Sequence, residues 1–453
     1  MGDRKLTLVG GGGVRGPVFV ESAAMRAAEL GLDEIVLLDV DEHKLRLLGG
    51  VAAHLARRHG DVRVVATTDA RRALDGADFV VTTVRVGGDA ARVADEQIAV
   101  RHGVLGQETT GAGGFAMAMR SIPVILHYAE LLAELSPHAW LFNFTNPAGL
   151  VTQALRDAGH ERTVGICDSA NLAQHAVAAV HGLDANDLRP EVFGLNHLSW
   201  VRAVRDQQGR DLLAPLLAEP RFRAGTLQRF FPAALSELSG MWINEYLYYY
   251  YFAEEAMAHT SSEESSRGQE VAGRNADLLG ELARIGPDQP EEAVAAYRAY
   301  EAGRRSTYMS YAEPGTAPAG ERTLGEGSEG YAAVALDLMA AMTGGPARYC
   351  AANVPAAGHI DALSSEDVAE MSVVADATGI RPLPIGAVPE PQAGLMRQVK
   401  LFERLTVRAV AARSRSLAVQ ALMAHPLVLS YSRAAALADD YLAAHHDHAG
   451  QWR

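Results

Sequence analysis

The chain has 453 residues, 41 Lys and Arg against 55 Asp and Glu, a formal net charge of −14 and 48% hydrophobic residues. That length suits two closely packed domains around a large core. No Lys/Arg block stands out, which argues against nucleic-acid binding. No apolar run approaches the roughly 18 residues of a membrane span, so no membrane association is expected. Cys167 and Cys350 are the only cysteines, too few for a disulfide framework. The opening MGDRKLTLVGGGG carries too short an apolar run for a signal-peptide core, so a cytoplasmic protein is expected.

Lys5–Gly10 reads as a buried strand that breaks into a glycine-rich turn, GGGGVRGP. An alanine-rich helix, Val18–Leu30, follows and is closed by Gly31. Gly11, Gly13 and Gly16 fit G-x-G-x-x-G, with Gly12 in the same turn, and Glu34–Asp41 is a second strand carrying Asp39 near its end. Glycines let a pyrophosphate approach the backbone at a helix N-terminus, and an acid about 20 residues on accepts a ribose hydroxyl. Asp39 lies 23 residues after Gly16 and favours NAD over NADP. Helix Glu42–His59, strand Val62–Thr68, helix Arg71–Ala77 and strand Asp78–Val84 continue the alternation. A long helix Gly111–Leu135, strand Trp140–Asn146, helix Pro147–Ala158 and strand Arg162–Asp168 complete it. The fold class is therefore α/β, a Rossmann-type doubly wound parallel sheet. Asp39, Arg85, Asn146 and Cys167 fall near strand ends, where ligands bind on such sheets.

The pattern changes near residue 190. We expect an NAD-binding domain over 1–190 and an interlocked α+β domain over 191–453 for substrate, metal and oligomer contacts. Val192–Arg205 and the Gln208–Gly209 region read as strands with a hairpin turn. Met241–Ala258, Glu263–Leu282, Pro290–Tyr300, Tyr331–Thr343, Val399–Ala412 and Ser416–Ala424 read as helices. Ala312–Gly330 is a Pro/Gly-rich loop, and His445, His446 and His448 lie in what reads as a solvated tail.

Three stretches place polar residues beside strand ends: NFTNPAG (Asn143–Gly149), ICDS (Ile166–Ser169) and GLNHLSW (Gly194–Trp200). Cys167 and His197 are either a metal pair or two ordinary buried residues, and spacing alone leaves both open. Two protein ligands are too few for a closed structural zinc site. An incompletely coordinated metal does suit a Lewis-acid site that binds vicinal hydroxyls. Tyr246 opens the segment YLYYYYF, an aromatic packing face or the seat of a general base. Arg92, Arg267 and Arg304 are candidate anion contacts or surface charges.

The chain resembles the NAD- and metal-dependent family 4 glycosidases of the 6-phospho-β-glucosidase type. The resemblance rests on VGGGG, RVGGDAARVADE, GVLGQETTGAGGFAMAMRSIPVI, NFTNPAG, ICDS, GLNHLSW, NEYLYYYY, ANVPAAGHI, PEPQAGLM, FERLTVRA and ALMAHPLV, in consistent order along the chain. It implies a lactate/malate dehydrogenase-like fold and departs from the two-carboxylate plan of most glycosidases. NAD takes hydride from C3 of the sugar, a tyrosine removes the C2 proton, the C1 substituent leaves, water adds, and the hydride returns. A divalent metal, usually Mn²⁺, holds the C2 and C3 oxygens. By the resemblance, Cys167 and His197 match the metal ligands and Tyr246 the C2 base. Asn146, Arg92 and Arg267 match substrate contacts, with Arg92 the better phosphate candidate. Asp168 stands where α-specific members carry an acid for the leaving group. The expected partner is a phosphorylated glycoside, and the expected assembly a homodimer or homotetramer.

Two segments depart from the family pattern. Phospho-specific relatives read GGGS-x-Y-T-P at the first turn, whereas Gly13, Arg15 and Gly16 stand here. β-Specific members carry C-N-x-P, whereas this chain carries C-D-S-A. An α-linked, galacto-configured or unphosphorylated glycoside therefore remains as an alternative substrate. A plain NAD-dependent sugar dehydrogenase and a non-enzymatic nucleotide sensor are the competing classes.

Overall fold

The computed structural model describes residues 4–262, 266–305 and 332–453. The Pro/Gly-rich loop over 312–330 and the first residues of the expected Glu263–Leu282 helix lie outside them. Six short apolar runs form parallel strands: β1 (Arg4–Val9), β2 (Leu32–Leu38), β3 (Arg63–Thr67), β4 (Phe79–Thr82), β5 (Trp140–Asn143) and β6 (Thr163–Gly165). They lie in the order β3-β2-β1-β4-β5-β6. The order reverses between β1 and β4, and that reversal opens the crevice where doubly wound sheets bind ligands. Strands covered by helices on both faces lose the polar alternation of exposed sheets. Leu6, Leu8, Ile35, Leu37 and Val81 are all fully buried, which is why these segments read as unbroken apolar runs.

The C-terminal half adds to the same sheet. Beyond β6 lie β10 (Arg348–Pro355), β11 (Val368–Asp376) and β12 (Gly379–Pro382), each antiparallel to its neighbour. Asn353 of β10 pairs with Gly165 of β6, so the two halves meet directly beside Cys167. A separate antiparallel sheet is built from β7 (Arg189–Leu195), β8 (Leu198–Arg205) and β9 (Trp242–Ile243). The helix Gly111–Leu135 is long and apolar enough to cross a membrane by length and composition. Here it is a core helix, with Phe115, Met119, Ile122 and Ile125 at most 2% exposed.

The expected helix Val18–Leu30 is divided at Arg26 into Gly16–Met25 and Ala27–Leu30, and the structure departs further from the sequence reading at three other places. The expected strand Val192–Arg205 folds back on itself, because Leu195 of β7 pairs with Leu198 of β8 across a two-residue turn, Asn196–His197. His197 takes φ 62°, a left-handed conformation that a sequence signals only when glycine or asparagine occupies it. The expected helix Met241–Ala258 is instead β9, a 3-10 turn Glu245–Leu247 and two helices, Tyr248–Tyr251 and Ala253–Ser262. The Asn244 side chain accepts from the Tyr246 amide at 3.0 Å and starts that turn where a continuous helix was expected.

The C-terminal tail is the third departure. Helix Tyr431–Ala444 and the short helix His446–Ala449 pack it onto the first half of the chain. His446 and His448 are exposed as expected, but His445 is 2% exposed, with Nε2 2.6 Å from Asp95 Oδ1. Asp95 also accepts a bidentate pair from Arg120 at 2.8 and 2.6 Å. A buried carboxylate is stable only when such donors replace water, and His445 is one of them.

Candidate active site

The glycine turn sits between the ends of β1 and β4. A side chain at Gly16 would bring its Cβ to 2.7 Å from the Gly11 carbonyl oxygen, so the turn closes only with glycine there. Gly16 begins the helix Gly16–Met25, with Pro17 in its first turn. Asp39 follows β2 and reaches back, its Oδ2 accepting from the Gly12 amide at 3.0 Å and its Oδ1 from the Asp41 amide at 3.1 Å. The acid is thus oriented at the turn before any ligand arrives. Glycines that leave room for phosphate, a helix N-terminus and a positioned acid fit a dinucleotide.

Arg85 follows β4 and donates to Glu108 at 2.6 Å. Arg92, on the helix Gly88–Arg101, pairs with Glu108 at 3.1 Å and with Glu96 at 2.8 Å. Burial would raise the Glu108 carboxyl, but Arg85 and Arg92 outweigh it and hold the group well below the usual carboxylate range. Burial likewise opposes the Arg92 charge, and Glu108 and Glu96 more than restore it. Glu96 Oε2 accepts from the Gly268 amide at 2.7 Å, which brings the start of helix Arg267–Ile285 against this cluster. Arg267 itself pairs with Glu270 on its own helix. Arg304 sits close enough to Arg15 and Glu108 to feel both charges. The glycine turn and the arginine cluster therefore face one another.

Glu108 leads to Thr109, whose Oγ1 lies 3.0 Å from His197 Nδ1. His197 is 6% exposed, and burial lowers its pKa to about 4 against a small opposing effect of Glu108. The ring is neutral at physiological pH, the form that ligates metals. Thr109 fixes its orientation, as outer partners of metal-bound histidines do. The half-buried Tyr246 lies flat on the ring, centroids 3.7 Å apart and planes 1° from parallel. The 3-10 turn therefore delivers Tyr246 to His197, as the expected helix would not.

Cys167 follows β6 and is 9% exposed. Burial, with help from Glu370, Asp168 and Glu245, pushes its thiol well above the ordinary range. Those same carboxylates favour a cation beside the sulfur. Glu370, on β11, is itself raised to about 7 by burial, although Ser199, Asn196 and Asn353 donate hydrogen bonds to it. Asp168 is exposed next to the buried cysteine. The Asn146–Pro147 peptide is cis and leads into helix Ala148–Asp157, whose Gly149 amide donates to Asn196 Oδ1 at 3.4 Å. The Gly149–Asn196 contact ties the segment after Asn146 to the turn that carries His197, on whose ring Tyr246 lies, and Cys167 feels the charges of Glu370 and Glu245.

Among the described residues no group of three His, Cys, Asp or Glu forms a closed metal cage. One thiol and one oriented neutral imidazole, near several carboxylates, fit an open divalent-metal position with room for substrate oxygens. Sequence reasoning missed four members of the site: Glu108, Thr109, Glu245 and Glu370. Glu108 and Thr109 stand in the quoted GQETTG, where an acid and a hydroxyl beside a glycine turn were a usable signal. Glu370 lies in an apolar strand, and only tertiary contact reveals its place.

A parallel sheet of this order, ending in a glycine turn and a positioned acid, defines a dinucleotide-binding α/β protein of the lactate dehydrogenase type. A lactate dehydrogenase from Eimeria maxima, 12% identical, superposes with a TM-score of 0.50 over 91% of this chain and 95% of its own. The chain belongs to the family 4 glycosyl hydrolases: the family model matches residues 5–183 and the C-terminal domain model of the same family residues 192–428. It is 30% identical to a 6-phospho-beta-glucosidase of Escherichia coli over 97% of this chain and 95% of that one. It is 28% identical to a 6-phospho-alpha-glucosidase of Lacticaseibacillus paracasei over 99% of both. The 6-phospho-beta glucosidase of Thermotoga maritima, solved with manganese, NAD⁺ and glucose-6-phosphate, is 25% identical with a TM-score of 0.80, covering 98% of this chain and 99% of that one.

Proposed function

We propose that this glycoside hydrolase cleaves 6-phospho-β-glucosides with NAD and a divalent metal, most simply Mn²⁺, as resident cofactors. The observation that carries the reading is the stacked His197–Tyr246 pair. When bound, NAD supplies reversible oxidation at C3 of the sugar, and the metal polarises the C2 and C3 oxygens. Cys167 and His197 would hold the metal, with the imidazole oriented by Thr109. Tyr246 takes the proton from C2, and Asn146 orients the sugar beside it. Gly11, Gly12, Gly13 and Gly16 admit the pyrophosphate, and Asp39 accepts the ribose hydroxyls. Arg92 and Arg267 would serve as substrate contacts. A phosphorylated substrate is supported by the gathering of Arg85, Arg92 and Arg304 around Glu108, and by the phosphoglucosidase names of the relatives.

A second reading keeps this chemistry and inverts the anomer. Asp168, exposed immediately after Cys167, would protonate the leaving group in this reading, and the chain also resembles a 6-phospho-alpha-glucosidase. Either anomer is open to an enzyme that begins at the C2 proton. A domain division at 190/191 belongs to the same reading and is supported by the limits of the two family models. So does a cytoplasmic homodimer or homotetramer. Exposed Leu401, Met423 and Tyr431 on the C-terminal helices, with Leu429 in the connection before Tyr431, support self-association, which light scattering would measure.

The deciding experiment is a panel of p-nitrophenyl glycosides, α and β, with and without a 6-phosphate, assayed with NAD⁺ and Mn²⁺. Turnover of the 6-phospho-β substrate with no net NADH absorbance is expected. NADH accumulating in step with substrate would make the protein a sugar dehydrogenase instead, and exclusive turnover of the α substrate would favour the second reading.

A further inference from the structure

We propose that Glu370 is a positioning residue that clamps the turn carrying His197, and thereby sets the geometry of the metal site. The proposal rests on the reading of His197 as a metal ligand.

His197 occupies the second position of the two-residue turn between β7 and β8 at φ 62°. A non-glycine residue remains in that region only when its surroundings hold it there. Thr109 and Tyr246 fix the ring, but neither contact restrains the backbone of the turn. Glu370 does so from the other side. Its Oε1 accepts from Asn196 Nδ2 at 3.2 Å, and its Oε2 accepts from Ser199 Oγ at 2.7 Å. One carboxylate therefore grips the residue before His197 and the residue two positions after it. The hairpin is tight here in any case, since a Cβ at Gly194 would stand 2.3 Å from the Leu198 carbonyl oxygen.

The clamp is anchored to the other parts of the site. Asn353 Nδ2 donates to Glu370 Oε1 at 3.3 Å, and Asn353 is the residue of β10 that pairs with Gly165, two positions before Cys167. Ser199 Oγ also accepts from Asn244 Nδ2 at 3.2 Å, while Asn244 Oδ1 accepts from the Tyr246 amide at 3.0 Å. Glu370 thus stands where the Cys167 strand, the His197 turn and the Tyr246 turn meet. It is 1% exposed on a strand whose neighbours Ala369 and Met371 are fully buried. An apolar residue would fill such a place at no desolvation penalty. A charge kept there needs a task, and its three hydrogen bonds to described residues all serve the framework around His197.

The test measures binding rather than turnover. Mn²⁺ affinity is read by electron paramagnetic resonance of free Mn²⁺ in the presence of NAD⁺, and NAD⁺ affinity by fluorescence titration. The proteins compared are the wild type, Glu370→Leu, Glu370→Gln and His197→Ala. Loss of an outer partner weakens a metal site by roughly 10- to 100-fold, and that range is expected for Glu370→Leu, with NAD⁺ affinity retained. Glu370→Gln keeps the shape and both asparagine hydrogen bonds, and its amide N–H can donate to the Ser199 hydroxyl, so all three contacts survive and it should bind Mn²⁺ within about 3-fold of wild type, well short of an outer-partner loss. Wild-type Mn²⁺ affinity in Glu370→Leu, with His197→Ala impaired, overturns the clamp and leaves the ligand reading standing. Equal loss in Glu370→Gln and Glu370→Leu overturns it too, because the charge and not the hydrogen-bonding frame would then matter. Unimpaired Mn²⁺ binding in His197→Ala removes the ligand reading and the clamp with it. Should Glu370→Leu also lose NAD⁺ binding through misfolding, Ser199→Ala decides. That variant cuts one arm only and is expected to weaken Mn²⁺, and wild-type affinity in it overturns the proposal.

Discussion

Asp95→Asn should lower the melting temperature by several degrees, although residue 95 contacts none of the candidate catalytic groups. Asp95, Arg120 and His445 are 1%, 1% and 2% exposed. The carboxylate accepts two hydrogen bonds from Arg120 and faces His445 Nε2 at 2.6 Å. An amide in its place presents one oxygen and one N–H₂ to three donors, so a guanidinium N–H or the imidazole is left facing another donor in the interior. Removing one partner of a buried ion pair costs about 3–5 kcal/mol. Unfolding entropy near 2.1 cal/mol/K per residue gives about 1 kcal/mol/K for 453 residues, so the expected shift is about 3–5 °C. Differential scanning calorimetry measures it, with His446→Ala as the control because that ring is exposed. An Asp95→Asn protein melting within about 1 °C of wild type would refute the reasoning, since it would fall below the range for a broken buried pair. It would return the tail to the status of a loosely attached segment.

Asp39→Ala removes the proposed acceptor for the ribose hydroxyls and the brace on the Gly12 amide. A hydrogen bond to a charged group is worth roughly 1.5–3 kcal/mol, so NAD⁺ affinity should fall by about tenfold or more, with discrimination against NADP⁺ weakened. An unaltered dissociation constant in fluorescence titration would exclude Asp39 from the cofactor site. His425 supplies a pH prediction. Burial lowers its pKa to about 3, so the folded protein keeps it neutral where the unfolded chain, near 6.5, takes up a proton. Its contribution to stability is therefore complete above pH 6.5 and is lost as pH falls toward 3, by at most about 1.4 kcal/mol per unit. Urea unfolding at pH 7 and pH 5 should show a shallower decline in His425→Phe than in wild type, and equal slopes would sink the assignment.

The nucleotide-binding half was legible because its physics is local. Buried parallel strands read as short apolar runs, Gly31 marks a helix end with φ 65°, and the spacing from Gly16 to Asp39 survives folding as a contact with Gly12. The second half was less legible because its signals are tertiary. His197 turns the chain without being glycine, so the hairpin could not be seen. The YLYYYY run has no helix breaker, yet the pairing of Trp242 with Val201 and the Asn244 side chain delay the helix, which starts only at Tyr248. His445 looked like tail because its partner Asp95 lies 350 positions away. Glu370 carries no sequence motif, since an acid in an apolar strand gains meaning only from the three side chains that converge on it.

The turn at His197 has a consequence for anyone who engineers this chain. A left-handed backbone at a non-glycine residue costs about 1–2 kcal/mol, and the strain is concentrated at one position of a two-residue loop. The substitutions His197→Gly and His197→Asn would relax it, so a library screened for thermal tolerance alone is expected to enrich them. With His197 as the proposed metal ligand, each winner of such a screen would fold better and bind metal worse. Selection for robustness and selection for catalysis therefore pull this residue in opposite directions, and metal affinity has to be scored alongside melting temperature in every round.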